Sequence, residues 1–437
     1  MLNRGFVCAF LVVLAWGPRP AAGAGFELDE QDVELMATAF AGRAAASANA
    51  ATIWWNPAGM ARLKGWNYNA GVNWVFVDGA YSDQGSTSAV GSPMLGDTND
   101  NGGTDGLIPN LYVSRSLGER WVVGIGVNAP FALSTQYSTN STVRYFATLS
   151  EILVINIEPA ASFRINEQWS VGAGLMLQHA SGTLGNQIDF GSIGASLSIP
   201  GLIPQAFDGS VKVDGNSVSV GFTVGVLFEL NEKNRFGLSY RSQVKHKIEG
   251  DADFSVPDAA SGVVDATGAF VDTDASLDMT LPDKFILSGF HQVHVKWAVV
   301  WDVSYTNWST VEEIRIKFEN PNQPDSVLDM QWDGSWRVST GAIYSINDKW
   351  ILRFGVAWDQ SPIPDETRGP RLPGSDRFWV AVGGTYIIKP WLRLQVAYFH
   401  IFVDKTSIDQ SEPAAGNLIG TVNGGVDAFS VGFTGTF

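Results

Sequence analysis

From Trp66 to the C-terminus the chain alternates bulky and small positions with a period of two, the spacing of β-strands whose side chains point to opposite faces. Trp350, Leu352, Phe354, Val356 and Trp358 alternate with Ile351, Arg353, Gly355, Ala357 and Asp359. Trp297, Val299, Trp301, Val303 and Tyr305 stand between Ala298, Val300, Asp302, Ser304 and Thr306, and the closing segment sets Phe429, Val431, Phe433 and Phe437 against Ser430, Gly432, Thr434 and Thr436. In a soluble sandwich the bulky face would be buried and the other charged and wet. Here the second face is mostly Gly, Ala, Ser, Thr and Asn with single charges, so it is the small face that needs an explanation.

Six short turns recur, each followed at once by an aromatic residue: Trp121, Trp169, Phe236, Trp297, Trp350 and Trp391. Between them lie seven longer segments rich in Gly, Pro, Asp, Ser and Asn, at about 81–107, 132–146, 183–215, 249–278, 319–330, 361–375 and 406–423. Short turns on one side, long loops on the other and aromatic rings at the turn level describe an outer-membrane barrel with its interfacial girdle. Seven loops and six turns join fourteen strands, an even number that puts both ends on the short-turn, periplasmic side. A strand in hydrocarbon cannot leave its N–H and C=O groups unpaired, at several kcal/mol each, and a closed ring has no edge. The expected fold is therefore all-β, a fourteen-stranded antiparallel transmembrane barrel over residues 66–437. Phe437, ending an aromatic strand where soluble chains end polar and frayed, agrees with this.

Residues 24–65 break the alternation. Val33 to Ala51 is Ala-rich, and Leu35, Met36, Ala39 and Phe40 are spaced for a short helix before the breaker Trp54-Trp55-Asn56-Pro57-Ala58-Gly59. Such a segment ahead of the first strand is expected inside the lumen as a partly helical plug, or hatch. Residues 1–23 read as a signal peptide: Arg4, an apolar run of eleven residues from Phe6 to Trp16, then small residues. The run is too short to span a bilayer as a helix. It carries Cys8, the single cysteine, so the exported part has no disulfide framework.

Charge narrows the partners. Charged residues make up only 16% of the chain, against roughly 25% in soluble domains, and the net charge is −16. Removing residues 1–23 leaves 26 basic against 44 acidic residues, or −18. No basic face for nucleic acid is expected. Enzyme signatures are weak. Gly124 to Ala129 fits a dinucleotide fingerprint formally, but Pro130-Phe131 follows where a helix should start. His291 and His294 fall on opposite strand faces and cannot share a metal. Asp97 to Gly102 resembles the opening of a calcium loop, yet Ile108 stands where the bidentate Glu belongs; a solvated acidic loop is the other reading. The expectation is no enzyme, no cofactor and no metal. The inward charges Asp302, Asp359, Arg241, Arg337, Arg353 and Arg393 form either a hydrogen-bonded wall network or a site for a solute carboxylate. Ile193, Leu197, Ile199, Leu202, Ile203 and Phe207 form an apolar loop, suited to capturing an apolar ligand or to packing on itself.

The chain resembles the FadL family of outer-membrane transporters for long-chain fatty acids and other hydrophobic compounds. The resemblance runs from Ala24 to Phe437 and rests on Ala24-Gly25-Phe26 with Asn56-Pro57-Ala58, Arg235 to Lys245, Leu281-Pro282, Trp297 to Trp308, Ser361-Pro362-Ile363-Pro364 and Asp376-Arg377-Phe378-Trp379. It implies a hatch in a fourteen-stranded barrel, capture by loops, a pocket touching Phe26, and exit into the outer-membrane lipid through a gap at a kinked third strand. The kink would be Asn128, Ala129, Pro130, Phe131 and Ala132, with Asn56, Pro57 and Ala58 opposite it. Two basic residues that hold the head group in well-known members align near Asn186 and Asp333, so the cargo is a fatty acid held by other arginines or a neutral aromatic or aliphatic hydrocarbon. A monomer is expected. The reading from a different class is a general porin.

Overall fold

The computed structural model describes residues 25–46 and 48–437, and the expected signal peptide lies outside them. Fourteen antiparallel strands form one ring. They are β1 (Trp66–Asp83), β2 (Gly106–Leu117), β3 (Trp121–Gln136), β4 (Leu149–Arg164), β5 (Trp169–Asp189), β6 (Asp208–Asn231) and β7 (Asn234–Arg241 with Val244–Ser255). They continue as β8 (Thr273–Leu281 with Lys284–His294), β9 (Trp297–Thr306 with Glu313–Phe318), β10 (Ser326–Asp329 with Ser335–Ser345), β11 (Trp350–Asp359), β12 (Arg377–Lys389), β13 (Leu392–Val403 with Thr406–Glu412) and β14 (Gly416–Thr436). Each pairs with its neighbours in sequence, and β14 returns to β1 from Asn67 opposite Thr436 to Asp83 opposite Gly420. Trp66 and Phe437 complete the seam, each donating its N–H to the other's carbonyl at 2.8 and 2.9 Å.

The bulky face is the outer one. On β11, Trp350, Phe354 and Trp358 are 46%, 45% and 43% exposed, whereas Arg353, Ala357 and Asp359 are 5%, 2% and 5%. The turn aromatics pack across strands: Trp121 on Phe163, Trp169 on Phe228, Trp297 on Tyr344 and Trp350 on Tyr386, at 4.5 to 4.7 Å between centroids. Such pairs hold adjacent strands together at the short-turn end of the ring.

The expected loop at 406–423 is instead a hairpin, Thr406–Glu412 paired with Gly416–Val422. Strands β5 to β8 likewise run on into the segments at 183–215 and 249–278. Ladder bonds do not need an apolar face, so polar strand extensions beyond the ring's apolar band carry no hydrophobic alternation to reveal them. The total number of connections is unaffected, but the last of the expected long loops shrinks to a short turn at 413–415.

Inside the ring sits the N-terminal segment. The short helix expected around Leu35, Met36, Ala39 and Phe40 is a single turn, α1 (Val33–Met36), whose first N–H groups Asp32 caps by accepting from Glu34 N at 2.9 Å. Ala39 and Phe40 then take left-handed φ of 48° and 59°, which ends any helix there. Tertiary packing outweighs alanine propensity in so short a piece: Phe40 turns its ring onto Trp55 and Trp379. A second turn, α2 (Thr52–Trp55), leads into a 3-10 turn at Pro57–Arg62. The hatch packs its apolar side chains against the inner wall as one core, with Phe40, Trp54 and Trp55 fully buried.

The small inner face now has a cause. A Cβ at Gly237 would overlap the Ala44 carbonyl, one at Gly355 the Thr38 backbone, one at Gly225 the Asn56 amide, and one at Gly172 the Pro57–Ala58 peptide. The hatch lies with its backbone directly on the wall, and only glycine lets it. Gly237→Val is therefore expected to unseat the hatch by about 1–3 kcal/mol of overpacking or more, read as faster chymotryptic cleavage at Phe40 and Trp54 in an otherwise protease-resistant barrel.

Candidate functional site

The wall is interrupted on β3. Pairing between β2 and β3 runs from Leu117 opposite Trp121 to Leu111 opposite Val127 and stops. On the other side, Asn128 faces Asn156 and Phe131 faces Val154, three steps on β3 against two on β4. One extra residue is thus bulged out of the ladder. Pro130, with no N–H and a fixed φ, cannot serve a regular ladder. The freed edge bonds to the hatch entry instead. Gln31 donates from Nε2 to Ala129 O at 2.7 Å, Leu28 N donates to Pro130 O at 2.8 Å, and Ala132 N donates to Phe26 O at 3.0 Å. Glu27 lies opposite Phe131 as in an antiparallel pair. Farther along β3, Gln136 N donates to Gly102 O at 3.2 Å and the wall is continuous again.

Phe26 ends this short pairing with its ring in an aromatic cluster: Trp308 at 5.0 Å, Phe131 at 5.8 Å and Trp332 at 5.9 Å. Beyond it, between the hatch and the long loops, an open cavity is lined by Leu133, Ile152, Leu184, Ile248, Leu277 and Met330, with Phe26 as its floor. From this cavity toward the wall, Phe26, then Phe131, then the broken ladder follow one another.

Asn56, Pro57 and Ala58 are placed elsewhere. Asn56 donates to Ala44 O at 2.8 Å and to Val226 O at 3.0 Å while accepting from Ala58 N at 3.1 Å, and Ser162 Oγ donates to Ala58 O at 3.1 Å. These bonds fasten the hatch to β4 and β6; the residues that touch the kink are Phe26 to Gln31. Asn56→Ala would leave a buried carbonyl at Ala44, a part-buried one at Val226 and a helical turn uncapped, an expected loss of about 2–4 kcal/mol in hatch stability, visible as a lowered proteolysis threshold on heating.

Three of the four candidate arginines hold the hatch. Arg241 lies 3.4 Å from Glu27 and stacks over Trp54, Arg337 lies 3.2 Å from Asp29, and Arg353 pairs with Glu34 while donating to Thr385 Oγ1 at 2.7 Å. Lys284 joins them at 2.9 Å from Glu27. Arg43 bridges Asp29 at 2.7 Å and Asp302 at 2.9 Å, and Asp359 sits in the same cluster beside Arg337. Arg393 borders a polar recess with Asp32, Glu34 and Arg62. None of the four lines the apolar cavity. The acidic run Glu27, Asp29, Glu30 and Asp32 was the sequence signal that basic wall positions would answer it. The cation in the cavity is Arg371, from the β11–β12 loop, which no spacing pointed to.

In the candidate loop, Leu202 is buried and Ile193, Ile199 and Phe207 pack with Phe190, Ala260 and Val263, while Leu197 and Ile203 stay 44% and 63% exposed. Asp97 and Asp100 accept from Asn140 Nδ2 at 3.1 Å and Ser138 N at 2.8 Å, so the acidic loop is stitched to the loop after β3. Gly124 to Ala129 runs on as strand. His291 is held by Asn234 and by Trp301 Nε1 at 3.0 Å.

The comparisons with known proteins agree with this architecture over nearly the whole chain. The chain is 25% identical over 423 residues to the long-chain fatty acid transport protein of Escherichia coli O6:H1, covering 93% of each, and 27% identical over 426 residues to outer membrane protein P1 of Haemophilus influenzae, covering 91% and 90%. In fold it matches a Pseudomonas aeruginosa FadL homologue with a TM-score of 0.88 at 22% identity, covering 95% of this chain and 100% of that one. It also matches the Pseudomonas putida toluene transporter TodX with a TM-score of 0.71 at 18% identity, covering 94% and 99%. The model of the family described as outer membrane protein transport protein (OMPP1/FadL/TodX) matches residues 13–437, and the chain belongs to that family.

Proposed function

We propose that this barrel carries long-chain fatty acids passively across the outer membrane, by capture at the long loops, binding in the cavity above Phe26 and sideways exit at the bulged third strand. The observation that carries this reading is the continuity of three features: an apolar cavity, Phe26 as its floor, and Phe26's own backbone bond to the strand whose ladder is broken. Exposed Leu197 and Ile203 suit first contact with a greasy solute. Each buried CH2 contributes about 0.8 kcal/mol, so a long chain leaves water without energy input. Sideways release delivers it to lipid and spares it the aqueous periplasm. In this reading the protein acts as a monomer, residues 24–65 are the gate, and both ends of the chain lie on the periplasmic side.

Names of relatives support the fatty acid, as with the Escherichia coli protein, but also a neutral hydrocarbon, as with TodX. The test is uptake of radiolabelled oleate and toluene by cells lacking their own barrels of this kind and supplied with this one. Faster oleate uptake than in empty cells is expected; uptake of toluene alone would move the assignment to hydrocarbons. Large steady conductance steps in planar bilayers, with neither solute taken up, would make it a porin.

A further inference from the structure

Among the described residues the cavity has a largely apolar lining and a single cation. Arg371 comes from the loop between β11 and β12, whose backbone is pinned to the end of β3 and the residue that follows it: Thr135 Oγ1 donates to Arg371 O at 2.9 Å and Tyr137 OH to Pro370 O at 3.0 Å. The guanidinium itself reaches only neutral acceptors. Nη1 donates to Leu149 O and Ser150 Oγ, both at 3.0 Å, and to Gly185 O at 3.4 Å, and Nη2 donates to Asn186 Oδ1 at 3.3 Å. Nε is buried with no partner. Among the described residues no carboxylate lies within ion-pair distance of it, whereas the hatch-facing arginines Arg43, Arg241, Arg337 and Arg353 all have one. The cavity's own acids are engaged or out at its mouth: Asp214 pairs with Lys212 at 3.2 Å, and Glu151 and Asp329 are exposed. Burial pushes the Arg371 guanidinium down to about 10, with Glu412 opposing the shift, so it stays charged at neutral pH.

A half-buried cation that faces an apolar cavity with no carboxylate within ion-pair distance leaves its opposite charge for a ligand to supply. Resting on the transport reading above, we propose that Arg371 is the head-group residue of the cavity and makes it selective for amphiphiles with an anionic head, carboxylates above alcohols or hydrocarbons of equal tail. The tail then lies along Leu184, Ile248 and Leu277 toward Phe26, and the carboxylate takes up the free Nε–H and shares Nη2 with Asn186.

The experiment is equilibrium binding of radiolabelled oleate and oleyl alcohol to the purified protein in lipid nanodiscs at pH 8, expressed as the ratio of the two affinities. A charged hydrogen-bonding partner is worth about ten- to a hundredfold, and that preference for oleate is the expected wild-type ratio. Arg371→Gln should bring the ratio close to one and Arg371→Lys should recover most of it. A merely structural Arg371 would weaken both ligands together and leave the ratio as it was, which would overturn the proposal. If the wild type binds neither ligand, it is the transport reading that fails, and this inference with it.

Discussion

Deletion of Pro130 is expected to yield a folded barrel that no longer delivers hydrophobic compounds. The bulge places three steps of β3 against two of β4 between Asn128 and Phe131. Removing one residue equalises them, so that Ala129 faces Ile155 and Phe131 keeps Val154. The parity of inside and outside survives as well: Asn128 and Phe131 both face inward, as do Asn156 and Val154. The repaired edge can extend its bonds to β2, whose residues 106–110 have no partner on that side. Several ladder bonds of about 0.5–1.5 kcal/mol each would then have to break for a ligand to pass, a barrier worth about a hundredfold in rate. The measurement is oleate uptake alongside the heat-modifiable gel shift that reports a closed barrel. Undiminished uptake with an intact shift would rule out sideways exit.

Arg43→Met should turn a silent barrel into a conducting one. Arg43 is fully buried and joins two carboxylates, Asp29 on the hatch and Asp302 on β9, with a further bond to Ser304 Oγ at 3.1 Å. Removing one member of a buried charge cluster leaves its partners uncompensated and costs about 3–5 kcal/mol. The strain falls on the element that can move, which is the hatch. Its displaced fraction would rise by two to three orders of magnitude, visible as ionic steps in planar bilayers. Asp302→Asn added to Arg43→Met relieves part of the penalty and should quieten the recording; absence of any steps in the single variant would mean the plug is held mainly by its apolar packing.

The two faces of the strands, the aromatic turns and the number of connections were readable from residues alone, because lipid outside and tight turns at one end each impose a periodic demand. The hatch was readable as a break in that pattern, yet its conformation was not. Ala39 and Phe40 adopt left-handed backbone for the sake of contacts with Trp55 and Trp379 that are distant in sequence. The arginines were visible as inward charges, but whether each meets a ligand or the hatch depends on which wall position stands opposite Glu27, Asp29 or Glu34. Arg371 lay in a Pro- and Gly-rich loop with no periodicity, and only the folding of that loop back onto Thr135 and Tyr137 brings it to the cavity.

The division of charge between plug and wall has a consequence for a ring that has lost its plug. Glu27, Asp29 and Glu34 leave with the hatch, while Arg241, Lys284, Arg337 and Arg353 remain on the wall with Asp302 and Asp359. An acidic protein would thus contain a basic bore, and a vacated barrel should pass chloride in preference to potassium, with a reversal potential of the matching sign in a salt gradient.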